Sequence, residues 1–403
     1  MKKPKHTDFH ERAAVLRQRR NLKISGSVEA YVRGNTQKFY EWLDAADHSK
    51  IPQGPPVWIC GDCHLGNLGP LADIDGQIAV QVRDLDQSVI GNPAHDLVRL
   101  GLSLAMAARS SDLPGVTTAN MIEHLTAGYQ EAIARNDPTT GEKPEAVRIV
   151  MRKAVKRTWD QLARERLKDA KPTIPIGKSF WPLSDDESRE IKRLFTTEAV
   201  RRLATSLHSR NAAACIEVLD AAYWVKGCSS LGRLRFAVLI GVGKRLDKDN
   251  ALCLIDIKEA VPATAPRFPD ADMPQDDGVR VVAGARHLSP GLGERMVAAR
   301  IFDKPIFIRE LLPQDLKLEI HSLTRDEAMK ASRYLAMIVG KAHAAQMDTS
   351  TREEWRRELT RDRSSALDAP SWLWSSIVEL VSNHEADYLE HCRKYALEGA
   401  PRE

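Results

Sequence analysis

The spacing of hydrophobic and polar residues divides this chain into helical and strand-rich stretches. Residues 8–50 and most of 117–220 carry apolar positions at helical spacing among many charged residues, which predicts helices. Between residues 223 and 312, short β-branched and aliphatic runs alternate with polar turns, which predicts strands. From residue 324 the helical period returns. The pattern therefore predicts an α+β fold, with a small β unit enclosed by helices.

Five strands are predicted in the β unit, and two more precede it. The five are Tyr223–Val225, Arg233–Val242, Ala251–Lys258, Met296–Phe302 and Ile306–Leu312, and the earlier two are Val57–Cys60 and Ile78–Val82. Helices are predicted from Asn92-Pro93 onwards, where an N-cap precedes a proline, and at Val279–His287, Thr324–Gln346 and Trp372–Tyr395. We divide the chain into an N-terminal helical segment (1–56), a mainly helical region (57–220), a β-rich region (221–313) and C-terminal helices (314–403).

Composition is that of a globular protein, and it argues against several classes of partner. Of the 403 residues 43% are hydrophobic and 28% charged, and the net charge of +4 is too small to indicate nucleic-acid binding. No apolar run approaches the roughly 20 residues that cross a bilayer, and the charged N-terminus lacks the apolar core of an export signal. Six scattered cysteines suit a reducing compartment. We expect a cytoplasmic protein that binds neither membranes nor nucleic acid.

Two chemistries compete for the segment Cys60-Gly61-Asp62-Cys63-His64. It fits the C-x-x-C-H pattern of covalent haem attachment. Haem attachment normally follows export, and a zinc site would need two further ligands. Extended to Asn67, the same segment also fits a phosphotransfer site. A c-type haem protein is therefore a distant alternative, and we expect the two cysteines to be incidental.

Phosphoryl transfer requires a carboxylate that orients the acceptor hydroxyl and oxygen ligands that hold Mg²⁺. Asp62 and Asn67 lie five positions apart, the spacing of kinase catalytic loops, so one loop offers both groups. Asp84 ends an apolar strand, where it could supply a metal carboxylate, with Asp86 as an auxiliary ligand. Carboxylate and amide oxygens suit Mg²⁺. Each residue alone would be an ordinary turn or capping residue, but their order together favours phosphotransfer.

The segment resembles the aminoglycoside-phosphotransferase and choline-kinase group of the protein-kinase-like superfamily. In that group a G-D-x-H-x-x-N loop leads to a metal-binding aspartate and then to a G-x-P-x-x-D-L helix start, here Gly91 to Leu97. The resemblance implies a two-lobed fold, ATP and Mg²⁺ as cofactors, and catalytic roles for Asp62, His64 and Asn67. His64 favours a small-molecule acceptor. His64 and Asp96 also allow a purely structural role, which we favour for Asp96.

The resemblance places a nucleotide-binding lobe in the β-rich region, because residues 1–56 lack strands. The link between its first two strands is rich in small residues that could cover phosphates, namely Gly227, Ser229, Ser230 and Gly232. Lys258 ends the third strand, where kinases carry the lysine that binds the α- and β-phosphates. The strand Ile306–Leu312 would lead to the hinge, where backbone groups from Glu310 to Leu312 would meet adenine.

The kinase parts follow one another in a circularly permuted order. The helix that normally runs into the catalytic loop corresponds to Thr324–Gln346, which comes after the loop in this chain. Permutation is tolerated where termini lie close together at the surface. The arrangement resembles the bacterial DUF2252 family over nearly the full length. The recurring features are Tyr31-Val32-Arg33-Gly34, the Cys60–Asn67 loop, Asp84-x-Asp86, Ile257-Lys258-Glu259-Ala260 and Arg309-Glu310.

One kinase part has no clear counterpart. The glutamate that pairs with the strand-three lysine belongs in Val279–His287, where Ala283 stands, and neither Glu259 nor Glu294 is well placed to replace it. We expect an ATP- and Mg²⁺-dependent phosphotransferase that acts on a small molecule. A nucleotide-binding pseudokinase and an AMP-transferring enzyme on the same fold remain open alternatives.

Overall fold

The computed structural model describes residues 9–46, 51–135, 143–157, 173–207, 210–211, 213–228, 230–243, 251–316, 324–361 and 369–395. Helices and strands are mixed along these residues, which confirms the α+β class predicted from the hydrophobic pattern. No helix in these ranges is long and apolar enough to cross a membrane.

The helices in the described residues are α1 (Phe9–Ile24), α2 (Val28–Gly34), α3 (Thr36–Ala45), α4 (Pro93–Ser110), α5 (Gly115–Ala134), α6 (Glu145–Lys156), α7 (Asp185–Leu194), α8 (Glu198–Ala204), α9 (Asp277–Leu288), α10 (Pro290–Gly293), α11 (Arg325–Ala344), α12 (Thr349–Leu359) and α13 (Ser371–Tyr395). The strands are β1 (Val57–Ile59), β2 (Leu68–Ala72), β3 (Ile78–Val82), β4 (Val89–Gly91), β5 (Phe180–Trp181), β6 (Cys215–Trp224), β7 (Arg235–Gly243), β8 (Ala251–Glu259), β9 (Met296–Ile301) and β10 (Lys304–Leu311).

The largest sheet has six strands in the order β5-β6-β7-β8-β10-β9, and every neighbouring pair is antiparallel. Strands β6, β7 and β8 form a meander. Helices α9 and α10 follow, and the β9–β10 pair then joins the far side of β8. As a result β8 lies between β7 and β10, with Lys258 opposite Arg235 on one side and Phe307 on the other.

The predicted start of the first strand, at Tyr223, is wrong, because β6 begins at Cys215 and ends at Trp224. The first half of this strand is partly exposed and carries Glu217 and Asp220, so it lacks a strong apolar signal. A register shift between Val218 and Asp220 further breaks the alternation of apolar and polar positions.

The prediction of a five-stranded unit is also wrong, since Phe180–Trp181 adds a sixth strand at the edge of the sheet. Phe180 pairs with Trp224 of β6, and the two rings stack. Two residues are too short for a hydrophobic period to be seen in the sequence. The boundary drawn at residue 220 therefore falls inside β6 and separates β5 from its own sheet.

The two faces of the large sheet differ in chemistry. On one face Ile257, Ile255 and Cys253 of β8 pack in an apolar cluster with Leu16 of α1 and residues of α7 and α8. The alternate residues Lys258 and Asp256 lie on the opposite face and are buried there. That second face meets the segment around β1 to β4.

A second core is formed mainly by helices, with α5 packed extensively against α11. A Cβ at Gly128 of α5 would overlap the backbone carbonyl of Arg333, so glycine allows the close approach of the two helices. Helix α4 begins as predicted. The Asn92 side chain accepts a hydrogen bond from the N–H of Ala94, and Pro93 occupies the first turn.

The end of α11 lies beside the start of β1. Gln346 accepts a hydrogen bond from the N–H of Trp58 (2.8 Å) and donates one to its carbonyl (3.1 Å). The two residues are 288 positions apart in the sequence. Helix α11 and the segment that begins with β1 are therefore neighbours in space, although the chain does not connect them directly.

Buried His384 on α13 predicts a loss of stability in mild acid. Burial lowers its pKa from 6.5 to about 4. Between these values the unfolded chain binds a proton that the folded chain does not, so the free energy of unfolding falls as the pH drops below 6.5. The expected total is about 3 kcal/mol at pH 4. Denaturant unfolding of His384→Gln should show a weaker pH dependence over this range than wild type. A slope in His384→Gln equal to that of wild type would contradict this prediction.

Candidate active site

The loop that follows β1 is held in one conformation by Gly61. This residue has a φ of 71°, in the region that favours glycine, and a Cβ there would overlap the carbonyl oxygen of Gln87. The carbonyl of Gly61 accepts a hydrogen bond from the Tyr40 hydroxyl (2.6 Å). These contacts fix the backbone from which the next residue, Asp62, projects.

Asp62 is enclosed and paired. Its side chain is 13% exposed, and Oδ1 lies 3.0 Å from Nε and 2.9 Å from Nη2 of Arg99 on α4. Nη2 of Arg99 also donates to the carbonyl of Val32 on α2 (2.6 Å). Burial raises the pKa of Asp62 above its ordinary value, against the opposing charge of Arg99. A carboxylate with a raised pKa and a fixed orientation suits the positioning or deprotonation of a hydroxyl group.

Asn67 connects the loop to Asp84. Its Nδ2 donates to the carbonyls of Asp84 (2.7 Å) and Asp62 (3.3 Å), and its Oδ1 accepts from the N–H of Asp84 (2.7 Å). Oδ1 of Asn67 has a second lone pair, which could bind a metal ion. Nε2 of His64 is 3.8 Å from Oδ2 of Asp62, which is too long for a hydrogen bond.

Lys258 joins the two halves of the chain at the centre of the site. Its Nζ donates to Oδ1 (3.0 Å) and Oδ2 (3.2 Å) of Asp84 and to Oδ2 of Asp86 (3.0 Å), residues 174 and 172 positions earlier. The side chain of Lys258 is 3% exposed, that of Asp86 12% and that of Asp84 47%. Asp84 is therefore the carboxylate that is open to an incoming ligand.

The two carboxylates beside Lys258 differ in their pKa shifts. Partial desolvation in the site opposes ionisation of Asp84, but the charges of Lys258, Arg309 and Arg235 outweigh it and lower its pKa to about 2. For Asp86 burial prevails over Lys258, and its pKa is raised. Asp84 thus remains an anion at any physiological pH, as a metal ligand must.

The carboxylates of this site are of the kind that could hold a magnesium ion. Asp84 and Asp86 offer hard carboxylate oxygens, and Asn67 lies directly behind Asp84. Among the described side chains, no group of three or more His, Cys, Asp or Glu is placed to hold a metal ion. Mg²⁺ usually takes one or two protein carboxylates and completes its shell with water and substrate phosphates, so a smaller set is sufficient.

The predicted phosphate-covering link joins β6 to β7. Gly227 and Gly232 have φ values of 107° and 101°, so the link needs glycine at both positions. Ser230 is buried, and Ser229 lies outside the described residues. Lys23 on α1 donates to the carbonyl of Gly227 (2.7 Å), which ties the link to the N-terminal helices.

The predicted adenine contacts are not presented to a ligand in this conformation. The Glu310 side chain is fully buried on the other face of the sheet, where it pairs with Arg210 (2.6 and 2.7 Å). The carbonyl of Glu310 accepts from Arg295 (2.8 Å). The N–H of Leu312 donates to Asp315 (3.1 Å). Adenine binding through these backbone groups stays a prediction that requires local rearrangement.

Helix α9 corresponds to the predicted helix Val279–His287, and it contributes an arginine to the site. Buried Arg280 donates to the carbonyls of Asp86 (3.1 Å) and Val261 (2.8 Å), and also to that of Ser88. Glu259 pairs with Lys304 and the N–H of Leu234, and Glu294 is exposed. In the part of the chain that the structure describes, neither carboxylate forms an ion pair with Lys258. In the described residues its acidic partners are Asp84 and Asp86.

The sequence analysis missed a charged group beside Lys258. Asp256 accepts two hydrogen bonds from Arg235 (2.9 and 2.6 Å) and pairs with Arg309 (3.3 Å). Arg309 also donates to the carbonyl of Arg83, next to Asp84 (2.8 Å). The alternation of side chains along β8 could have indicated this group. Asp256 and Lys258 are two residues apart in a strand and therefore share a face.

Asp96 has the structural role that the sequence favoured. On the first turn of α4, its two carboxylate oxygens accept hydrogen bonds from the N–H groups of Cys60 (2.7 Å) and Gly61 (3.0 Å). It therefore orients the loop directly. The side chains of Cys60 and Cys63 are buried in the helical core, where they leave no exposed edge on which a haem could be attached.

The structure thus brings together five of the predicted residues, namely Asp62, Asn67, Asp84, Asp86 and Lys258. Comparison with curated proteins and with solved structures gave no match. A family model described as an uncharacterized protein conserved in bacteria (DUF2252) matches residues 12–394, nearly the whole chain. This chain belongs to the DUF2252 family.

Proposed function

We propose that this chain is an ATP- and Mg²⁺-dependent phosphotransferase with a two-lobed, circularly permuted, protein-kinase-like fold. The contact of Lys258 with Asp84 and Asp86 carries the proposal. It joins a lysine on the third strand of a meander to two carboxylates that follow a G-D-x-H-x-x-N loop. A buried lysine beside a carboxylate that is half open to solvent is what a phosphate–magnesium site needs before its ligand arrives.

The strand topology supports the small lobe of such a fold. A glycine-containing link joins β6 to β7, the lysine lies on β8, and α9 follows before β9 and β10. This is the order of parts expected from the resemblance. The adjacency of Gln346 and Trp58 supports the permutation, because it sets α11 beside the strand that leads into the loop.

Each side chain then has one role. Asp62 orients the acceptor hydroxyl, Lys258 neutralises phosphate charge, and Asp84 holds Mg²⁺ with help from Asn67. When bound, Mg²⁺ supplies charge neutralisation on the transferred group. Asp86 takes the place of the missing glutamate, since it is the more enclosed partner of Lys258 and its backbone is held by Arg280.

A small acceptor is favoured by the enclosure of Asp62. Its carboxylate is covered by Arg99 and lies near Thr36 at the start of α3. Tyr40 of the same helix holds the preceding carbonyl. A small hydroxyl compound reaches a carboxylate enclosed in this way more readily than a folded protein surface does.

A thermal-shift screen of the full chain tests the proposal. ATP with Mg²⁺ should raise the Tm by about 2 °C or more at ligand concentrations far above the Kd, because only the native state binds it. ATP with EDTA should give a much smaller shift, and Lys258→Met should give none. Equal shifts with and without Mg²⁺, or no shift with any nucleotide, would contradict the proposal.

An AMP-transferring enzyme is a second candidate, favoured by Arg235 and Arg309. These two arginines share one carboxylate, Asp256, so they leave a net positive charge on the sheet face beside Lys258, where additional phosphates could be held. ATP labelled at the γ-phosphate should pass its label to the acceptor in phosphotransfer. Transfer of the α-label would identify the second candidate.

A further inference from the structure

A chain of four buried side chains lies behind the Cys60–Asn67 loop. It runs from Trp355 on α12 through Tyr129 on α5 and His343 on α11 to Asp96 on α4, and we call it the buried relay. All four residues are almost fully buried. The heavy-atom distances along the buried relay are 3.1, 2.9 and 3.2 Å.

The direction of the hydrogen bonds follows from the chemistry of the groups. The indole N–H of Trp355 can only donate, so the Tyr129 oxygen accepts from it. The Tyr129 hydroxyl then donates to Nδ1 of His343. Nε2 of His343 faces Oδ2 of Asp96, an acceptor, and must carry the ring proton. Every donor in the buried relay has an acceptor, and the result is a neutral His343 protonated on Nε2.

The far end of the buried relay is the loop backbone. The Asp96 carboxylate accepts three hydrogen bonds, one from Nε2 of His343 and one each from the N–H groups of Cys60 and Gly61. Three donors complement an ionised carboxylate. Gly61 immediately precedes Asp62, so a shift of Asp96 would displace the carboxylate that faces the acceptor.

We propose that the buried relay positions the Cys60–Asn67 loop. In it, Trp355 and Tyr129 act through His343 and Asp96 to hold Asp62 in place. Tyr129 and Trp355 are positioning residues and do not touch the substrate. The relevance to catalysis rests on the proposed function, whereas the hydrogen-bond order of the buried relay does not.

The tautomer of His343 is the first test. Protein labelled with ¹⁵N only in histidine should show a neutral His343 ring with its proton on Nε2, assigned by the disappearance of that signal in His343→Gln. A neutral ring with its proton on Nδ1, or a charged ring at pH 7.5, would overturn the proposal.

The second test asks whether the buried relay holds the loop. In Tyr129→Phe, hydrogen exchange of the Cys60 and Gly61 amides should accelerate about 10-fold, because the last hydrogen bonds of the network lose their support. Tyr334→Phe is the matched control, because Tyr334 on α11 is also a buried tyrosine. It should leave both exchange rates unchanged. Unchanged loop exchange in Tyr129→Phe would overturn the proposal.

Substitutions of His343 separate positioning from packing. A glutamine amide can retain the donor to Asp96, so His343→Gln should keep loop protection within about 3-fold of wild type, whereas His343→Leu should lose it. In a transfer assay, the variants that lose loop protection should show a lower kcat and a nearly unchanged KM. Equal exchange rates in the two variants would contradict the proposal. The tautomer and exchange measurements need neither nucleotide nor acceptor, so their failure is distinguishable from a failure of the proposed function.

Discussion

Replacing Asp62 by asparagine is expected to reduce phosphoryl transfer by about 100- to 10,000-fold while nucleotide still binds. Asparagine keeps the size of the side chain but cannot accept the acceptor proton. Lys258 keeps its contacts with Asp84 and Asp86, so the phosphate and metal contacts should persist. Transfer of γ-labelled phosphate, to acceptor or to water, measures the first effect, and calorimetric titration with ATP and Mg²⁺ measures the second.

The control for this variant concerns Arg99, which is buried and would lose its ionic partner. An unpaired buried charge costs about 3–5 kcal/mol, so the stability of Asp62→Asn must be measured beside its activity. The double variant Asp62→Asn/Arg99→Gln removes both charges and should recover stability without recovering transfer. Transfer within about 10-fold of wild type in a folded Asp62→Asn protein would show that Asp62 is not the acceptor-orienting group.

Replacing Asp84 by alanine is expected to abolish the Mg²⁺ dependence of nucleotide binding. A carboxylate that bridges a metal ion to phosphates contributes several kcal/mol, so the affinity for ATP with Mg²⁺ should fall at least about 100-fold. The fold should tolerate this change because Lys258 keeps Asp86 as an ionic partner. Titration calorimetry with ATP, in the presence and absence of Mg²⁺, gives the comparison directly.

The matched control is Asp75→Ala, which removes an exposed carboxylate from the turn between β2 and β3. It changes the net charge by the same amount and should leave ATP affinity unchanged. If Asp84→Ala binds ATP with Mg²⁺ as tightly as this control does, Asp84 is not a metal ligand.

Strand ends were the part of the site that the sequence could predict. Asp84 follows β3 after Arg83, and Lys258 lies near the end of β8, so both mark a place where a predicted strand ends. The spacing of Asp62 and Asn67 belongs to one short loop, so it is also visible locally. Period and spacing are local properties, and a chain shows them before it folds.

Contacts between distant segments could not be predicted in this way. Arg280 of α9 donates a hydrogen bond to the carbonyl of Asp86, and the helical pattern around Arg280 does not indicate this acceptor. Glu310 is different, because the sequence did contain the signal. It alternates with Ile306 and Ile308, so strand periodicity places all three on the face opposite Lys258.

The pairing of Lys258 with carboxylates more than 170 residues earlier has a consequence for folding kinetics. Contacts of such sequence separation form late, because a very long loop must close before they contribute any stability. The ligand site should therefore appear only in the final, slow step of refolding. Nucleotide should leave the early phases unchanged and lower the rate of global unfolding, which would make unfolding kinetics a sensitive measure of occupancy.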